Sequence, residues 1–197
     1  MSGQLPTSPV ARNANVSSEQ NTLVSVTTSG RVQARQIDGQ RFTITLAYPP
    51  MTRSEFAPIK AFLMKQRSRL NTFTVVPPTI KDALGTASGT PNGTASAGDT
   101  SITLGGSGTG TLKAGDFIKF ANHDKVYMVV ADQSDISTGT LTIEPPLTTA
   151  VSSSDITYDN VPFTVHLTND VQDFGTVGAD KNGNLLYQYE LDLEEAL

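Results

Sequence analysis

RFTITLAYPPMTRSEFAPIKAFLMKQRSRLNTFTVVPP (41–78) carries the strongest structural signal in this chain. Its first eight residues alternate: Phe42, Ile44, Leu46 and Tyr48 fall on one face, Arg41, Thr43 and Thr45 on the other. Period two over that length predicts a strand with one face buried. Pro49-Pro50 ends it. Phe56, Ile59, Phe62, Leu63 and Leu70 then recur at helical spacing, and Thr52 with Glu55 forms a candidate capping box. Pro58 inside that pattern predicts a kink or a later helix start, because proline lacks the N–H that the helix needs. TFTVV (72–76) returns as a strand and Pro77-Pro78 stops it. The unit is strand, helix, strand, with one apolar helix face packed on a sheet.

Working outward, TLVSVTT (22–28) and RVQAR (31–35) flank Ser29-Gly30 as a hairpin, and Asp38-Gly39 marks the next turn. Residues 1–21 are polar, carry Pro6 and Pro9, lack periodicity and read as an extended arm. ALGTASGTPNGTASAG (83–98) is rich in Gly, Ser, Thr and Ala and reads as a flexible linker. Beyond it come four short strands, TSITL (100–104), GDFIKF (115–120), KVYMVVA (125–131) and TLTIE (140–144). Pro145-Pro146 and Ser152–Ser154 close this block. FTVHLT (163–168) and LLYQYELDL (185–193) alternate again, with Asn182-Gly183 as the turn before the second. They are too few to fold alone, so they are expected to pair with strands of 22–76.

The expected fold is therefore mainly β. A discontinuous β-sandwich or split-barrel domain with one packed helix spans 22–80 and 160–197. A linker covers 81–99, and a small β-barrel-like domain is inserted at 100–159.

The 197 residues are 37% hydrophobic and 17% charged, enough apolar material for cores. There is no cysteine, which removes disulfide and thiolate chemistry. MSGQLPTSPVARN has no basic and then apolar region, so no signal peptide is expected, and no apolar run is long enough to span a membrane. The net charge of −5 hides an asymmetry: residues 1–80 hold nine Lys+Arg against three Asp+Glu, residues 81–197 five against sixteen. Arg12, Arg31, Arg35, Arg41, Arg53, Arg67 and Arg69 form no run, so specific nucleic-acid binding is not expected. A basic face meeting an acidic face of another subunit is preferred, against an ordinary solvated surface.

No catalytic, metal or cofactor site emerges. His123 lies in a turn and His166 on the polar side of its strand, without a partner at metal-binding spacing. GGSGTG (105–110) misses both phosphate-loop patterns, and no Gly-x-Ser-x-Gly elbow is present. Asp180-Lys181-Asn182-Gly183 opens like a calcium loop, but Tyr189 stands where the closing acid is needed, so a hairpin turn is preferred. Asp170 and Asp173 lack an aromatic cleft and read as loop residues. Phe117, Phe120, Tyr127 and Tyr158 in the inserted block could stack on a sugar if exposed; core packing is the preferred reading.

The stretch 41–78, with its Pro-Pro stops, Ala61-Phe62-Leu63 in the helix and the closing FTVHLTNDVQDFG and LLYQYELDLEEAL, resembles the bacteriophage distal-tail and minor-tail protein superfamily. LKAGDFIKFANHDKVYMVV and LTIEPPL are similar to a small β-module of phage structural proteins. The resemblance implies a non-enzymatic virion protein at the tail tip or baseplate, assembled in the host cytoplasm. It implies a homo-oligomer, a six-fold ring, between the tail tube protein and hub or receptor-binding proteins. A carbohydrate-binding adhesion module, or a tube or connector slot, are the alternatives. Arg31, Arg35 and Arg41 of one subunit are expected to meet Asp192, Glu194 and Glu195 of the next. The arm (1–21) and the acidic tail (190–197) are expected to be free to reach neighbours.

Overall fold

The computed structural model describes residues 3–37 and 39–196. Met1, Ser2, Asp38 and Leu197 lie outside the described residues, and with them parts of the expected arm, the Asp38-Gly39 turn and the acidic tail.

The chain follows β1 (Asn13–Glu19), β2 (Thr22–Val26), β3 (Val32–Gln36), β4 (Arg41–Ala47), α1 (Arg53–Gln66) and β5 (Phe73–Val75). Then come β6 (Pro91–Ala95), β7 (Ser101–Gly106), β8 (Phe117–Phe120), β9 (Val126–Val129), β10 (Thr140–Glu144) and β11 (Val151–Thr157). The last elements are β12 (Phe163–Leu167), β13 (Thr176–Ala179), β14 (Leu185–Tyr187) and β15 (Glu190–Glu195).

Both ends of the chain build one antiparallel sheet in the order β1-β4-β15-β12-β5. Ile44 sits opposite Val16 and Leu193, and Leu46 opposite Ala14 and Leu191. These residues therefore share one face, which buries into a core with Phe73, Val75, Phe163, Val165 and Leu167. The other face carries Thr43, Thr45, Asp192, Glu194 and His166 and stays polar, as one-sided antiparallel sheets do. Helix α1 contributes Phe56, Ile59, Leu63 and Gln66 to the buried side.

The helix starts at Arg53, and Pro58 stays inside it with an exposed ring. The Glu55 carboxylate accepts the Thr52 backbone N–H at 2.8 Å, so the N-terminus is fixed by its cap rather than delayed by the proline. Leu70 leaves the apolar face and is 70% exposed. The left-handed Arg67 and Ser68, with φ +53 and +60, break the helical phase before it.

The second unit is a closed six-stranded barrel, β10-β7-β6-β11-β8-β9. Closure leaves no edge, and the interior is filled by side chains such as Ile102, Ile118, Phe120, Tyr127, Leu141 and Ile143. Its entry and exit are tied together. Asn160 N donates to Lys81 O at 2.6 Å, and Ala83 N donates to Asp159 Oδ1 at 2.9 Å.

Five sequence expectations need correction. The stretch 81–99 is not a free linker: Pro91–Ala95 is a barrel strand between β7 and β11, and Leu84 N is held by the buried Asp116 carboxylate at 2.7 Å. A Cβ on Gly85, Gly89 or Gly93 would meet a neighbour within 3 Å, so these glycines answer to tight space. The Ser152–Ser154 run does not close the block. It lies in β11, where a register shift between Val151 and Ser154 admits it as a bulge. The arm is not free either, because β1 pairs along all of β4 and Leu5 is buried beside β5. The acidic tail is β15, an interior strand between β4 and β12. LLYQYELDL divides into β14 and β15 around Gln188-Tyr189.

Candidate assembly surfaces

The joint between the sheet and the barrel is the most heavily bonded site. Lys125, at the start of β9, projects onto the sheet. Its ammonium donates to Glu195 Oε2, to Gln40 Oε1 at 2.7 Å and to Gln40 O at 3.0 Å. Glu195 accepts the backbone N–H of Val126 at 2.9 Å and of Phe42 at 3.2 Å. The two charged side chains are 2% and 0% exposed. Burial pushes the Lys125 ammonium below its ordinary pKa of 10.5, and the Glu195 charge opposes that shift. A buried pair with every polar atom engaged fixes register, since any displacement leaves a charge without a partner. Around it, Phe42, Phe117 and Phe163 stand 5.5 to 5.8 Å apart, and the Lys125 ammonium lies 4.9 Å over the Phe42 ring.

The six residues expected at a subunit interface separate into three groups. Glu195 is buried inside the chain and cannot meet a neighbour. Arg41 Nη1 pairs with Glu194 Oε1 of the same chain at 2.8 Å, and Asp192 Oδ1 accepts from Thr45 Oγ1 at 3.0 Å. Strand β15 lies beside β4, so the register itself brings these groups together. Arg31 and Arg35 remain exposed on the β2–β3 ribbon, and among the described residues neither guanidinium meets an acid. Lys125 and Gln40 are not singled out by the sequence, and Phe117 reads there only as a stacking candidate or as core of the inserted block, not as part of a joint. The available signal was Glu195, a charge in phase with buried Leu191 and Leu193.

Two ribbons stand at the margin of the molecule: β2–β3 lies outside both cores, and β13–β14 reaches the sheet core through Tyr187, which stacks on Phe56 at 5.5 Å. Ribbon β2–β3 is exposed at every strand residue, including Leu23, Val24, Val26 and Val32. Ribbon β13–β14 closes through Asp180, whose carboxylate accepts the Asn184 side-chain amide at 2.9 Å and the backbone N–H of Asn184 and Asn182 at 2.9 and 2.8 Å, and these bonds hold it below the usual carboxylate pKa. Gly183, at φ +82, supplies the turn conformation. The segment closes as a hairpin turn.

Within the barrel, the aromatics expected as sugar-stacking candidates are occupied. Phe120 and Tyr127 are fully buried, Phe117 packs in the joint, and the half-buried Tyr158 donates its hydroxyl to Gly89 O at 3.0 Å. His123 belongs to a structural network. Asn122 Nδ2 donates to Ala150 O, so Asn122 Oδ1 faces His123 Nδ1 at 2.8 Å and fixes the proton there. His123 Nε2 then accepts from the Tyr127 hydroxyl at 2.8 Å. Burial, with nearby Lys119, holds the His123 pKa below 6.5. His166 lies 3.8 Å from Glu194 on the polar sheet face. Among the described residues no group of three or more His, Asp or Glu is placed to hold a metal, and no helix is long and apolar enough to cross a membrane.

Residues 82–161 match the family model for the B domain of distal tail protein pb9. The matched span begins and ends where Lys81–Asn160 and Ala83–Asp159 close the barrel. No curated protein matches the chain.

Proposed function

We propose that this chain, a member of the bacteriophage distal tail protein family through its B domain, is a ring subunit at the free end of the tail. Its role is that of a structural tail component of the virion. In this reading the sheet domain forms the ring, joining the tail tube protein on one side to hub or receptor-binding proteins on the other. A six-fold ring is the expected stoichiometry, and the barrel is carried on its outside.

The observation that carries the reading is the matched barrel clamped on the sheet by Lys125 and Glu195. A subunit that transmits position along a tail needs such a rigid joint, because interdomain contacts without a buried lock leave the domains free to move. The polar outer face of the sheet and the two uncovered ribbons supply the remaining surface for contacts between subunits.

The test is immunogold electron microscopy of intact virions with antibody raised against the barrel. Label at the free end of the tail is expected. Label at the neck would move the protein to a connector, label along the shaft to the tube, and unlabelled particles would remove it from the virion.

A further inference from the structure

Three side chains from distant parts of the chain meet where the sheet joins the barrel. Gln40 precedes β4, Lys125 precedes β9 and Glu195 ends β15. They are 5%, 3% and 0% exposed. The Lys125 ammonium donates to Gln40 Oε1 at 2.7 Å and to Glu195 Oε2, so an amine lies in contact with both a carboxamide and a carboxylate. A carbonyl bond is about 1.2 Å long, which places Nζ no more than about 4 Å from Gln40 Cδ. Attack on a carbonyl carbon starts from about 3–3.5 Å, so a small rotation of the carboxamide closes the gap.

The surroundings suit an exchange of amides. An amine attacks only in its neutral form, and burial already pushes Lys125 below its ordinary pKa of 10.5. Glu195 is fixed beside it as a proton acceptor, because the N–H groups of Val126 and Phe42 hold its two oxygens. Gln40 Nε2 donates to Ser18 Oγ at 2.7 Å, which turns the carboxamide oxygen toward Lys125. Phe42, with the ammonium 4.9 Å over its ring, packs with Phe117 and Phe163 and keeps that side of the site dry. On the other side, Gln40 and Lys125 line a cavity of 460 Å³ with the exposed Gly39 and Gly98, through which a small product can leave.

We propose that Lys125 and Gln40 condense into an intramolecular isopeptide bond, with Glu195 as the proton carrier, and so join the barrel covalently to the sheet. Nζ passes a proton to Glu195 Oε2 and becomes a neutral amine. Its lone pair forms a bond to Gln40 Cδ. The Cδ–Nε2 bond then breaks, and Nε2 leaves as ammonia with a proton from the attacking nitrogen. Ammonia takes up the proton held by Glu195 and departs as ammonium, which restores the carboxylate. One amide replaces another, so no oxidant or reductant enters, and escape of ammonia draws the exchange forward. The ion pair is the state before condensation: a freshly folded chain carries the pair, a matured one the bond. The inference concerns a joint within one chain and stands apart from the place of the protein in a tail.

Intact-mass spectrometry of the full-length chain tests this, on fresh protein and after days of warming below its melting temperature. The expected result is a species lighter by one ammonia (about 17 Da) that accumulates to become the main form. Trypsin should then leave residues 36–41 joined to a peptide uncut after Lys125. Gln40→Met, which keeps the ion pair and removes the carboxamide, and Glu195→Gln, which removes the proton carrier, should retain the masks-free mass of their sequences, with circular dichroism checking the fold. Wild-type protein that keeps its full mass overturns the proposal, whatever the variants do. So does lost ammonia that maps to Asn92-Gly93 or Asn182-Gly183 as a succinimide, or that persists in Gln40→Met. Condensation undiminished in Glu195→Gln overturns the role given to that carboxylate.

Discussion

At the residue scale, Lys125 and Glu195 decide how the two domains meet. Removing one partner of a buried pair strands the other, so Lys125→Ala is expected to cost about 3–5 kcal/mol in chemical denaturation. The apolar double variant Lys125→Met/Glu195→Leu should recover only part of this. Glu195 also serves the N–H groups of Phe42 and Val126, and each orphaned donor costs about 1–3 kcal/mol. Full recovery would mean that the joint depends on packing alone. His123 gives a pH signature. Its pKa is lower in the folded protein than the ordinary 6.5, so the folded state binds fewer protons than the unfolded chain. Stability is complete above 6.5 and is lost as the pH falls below it through the lowered value. Protonation also places a second donor against the Tyr127 hydroxyl. His123→Gln should flatten that acid slope in melting curves taken across the window; an unchanged slope would assign it to other groups.

At the element scale, β6 shows why a glycine-rich stretch need not be a linker. A Cβ on Gly93 would meet Ile102 Cγ2 at 2.7 Å and Phe120 Cε1 at 2.9 Å, inside a filled barrel. Gly93→Ala is therefore expected to destabilise the barrel by about 1–3 kcal/mol through overpacking, read as a lower melting temperature. A neutral result would mean the interior has slack that the distances deny. The barrel has its own core and no open edge. Residues 82–161 expressed alone should thus unfold cooperatively, whereas the sheet domain without its barrel loses the cover that Phe117 gives Phe42 and Phe163. Non-cooperative melting of the isolated barrel would show that it needs the sheet.

At the scale of the whole molecule, the arrangement is a sheet closed by both ends of the chain, a barrel locked to it, and two ribbons at opposite ends. The basic and acidic portions of the sequence end on opposed surfaces only in part. Arg41 and Glu194 neutralise each other within one chain, which leaves Arg31 and Arg35 as the outward cations of the ribbon. Reversing Arg35 alone to Glu should weaken self-association several-fold in sedimentation and leave the melting temperature unchanged, since the side chain touches neither core. A loss of stability instead would place Arg35 in the fold.

Alternation in 41–48 and 163–167, the helical spacing from Phe56 to Leu63 and the Asn-Gly turn were all legible in the sequence, because each is a local pattern whose period is set by backbone geometry. The same periodicity made Phe42, Phe73, Phe163 and Tyr189 core residues. What the tertiary structure decided is which partners fill each position. Gly93 and the Ser152–Ser154 run read as linker and stop by composition, yet barrel closure makes 91–95 and 151–157 strands: the filled interior admits no Cβ at Gly93, and a register shift between Val151 and Ser154 takes up the serines. Glu195 reads as a surface acid by type. It is buried because a lysine 70 residues earlier in the chain reaches it, and long-range pairing of that kind leaves no periodic trace beyond one charge in phase with two leucines.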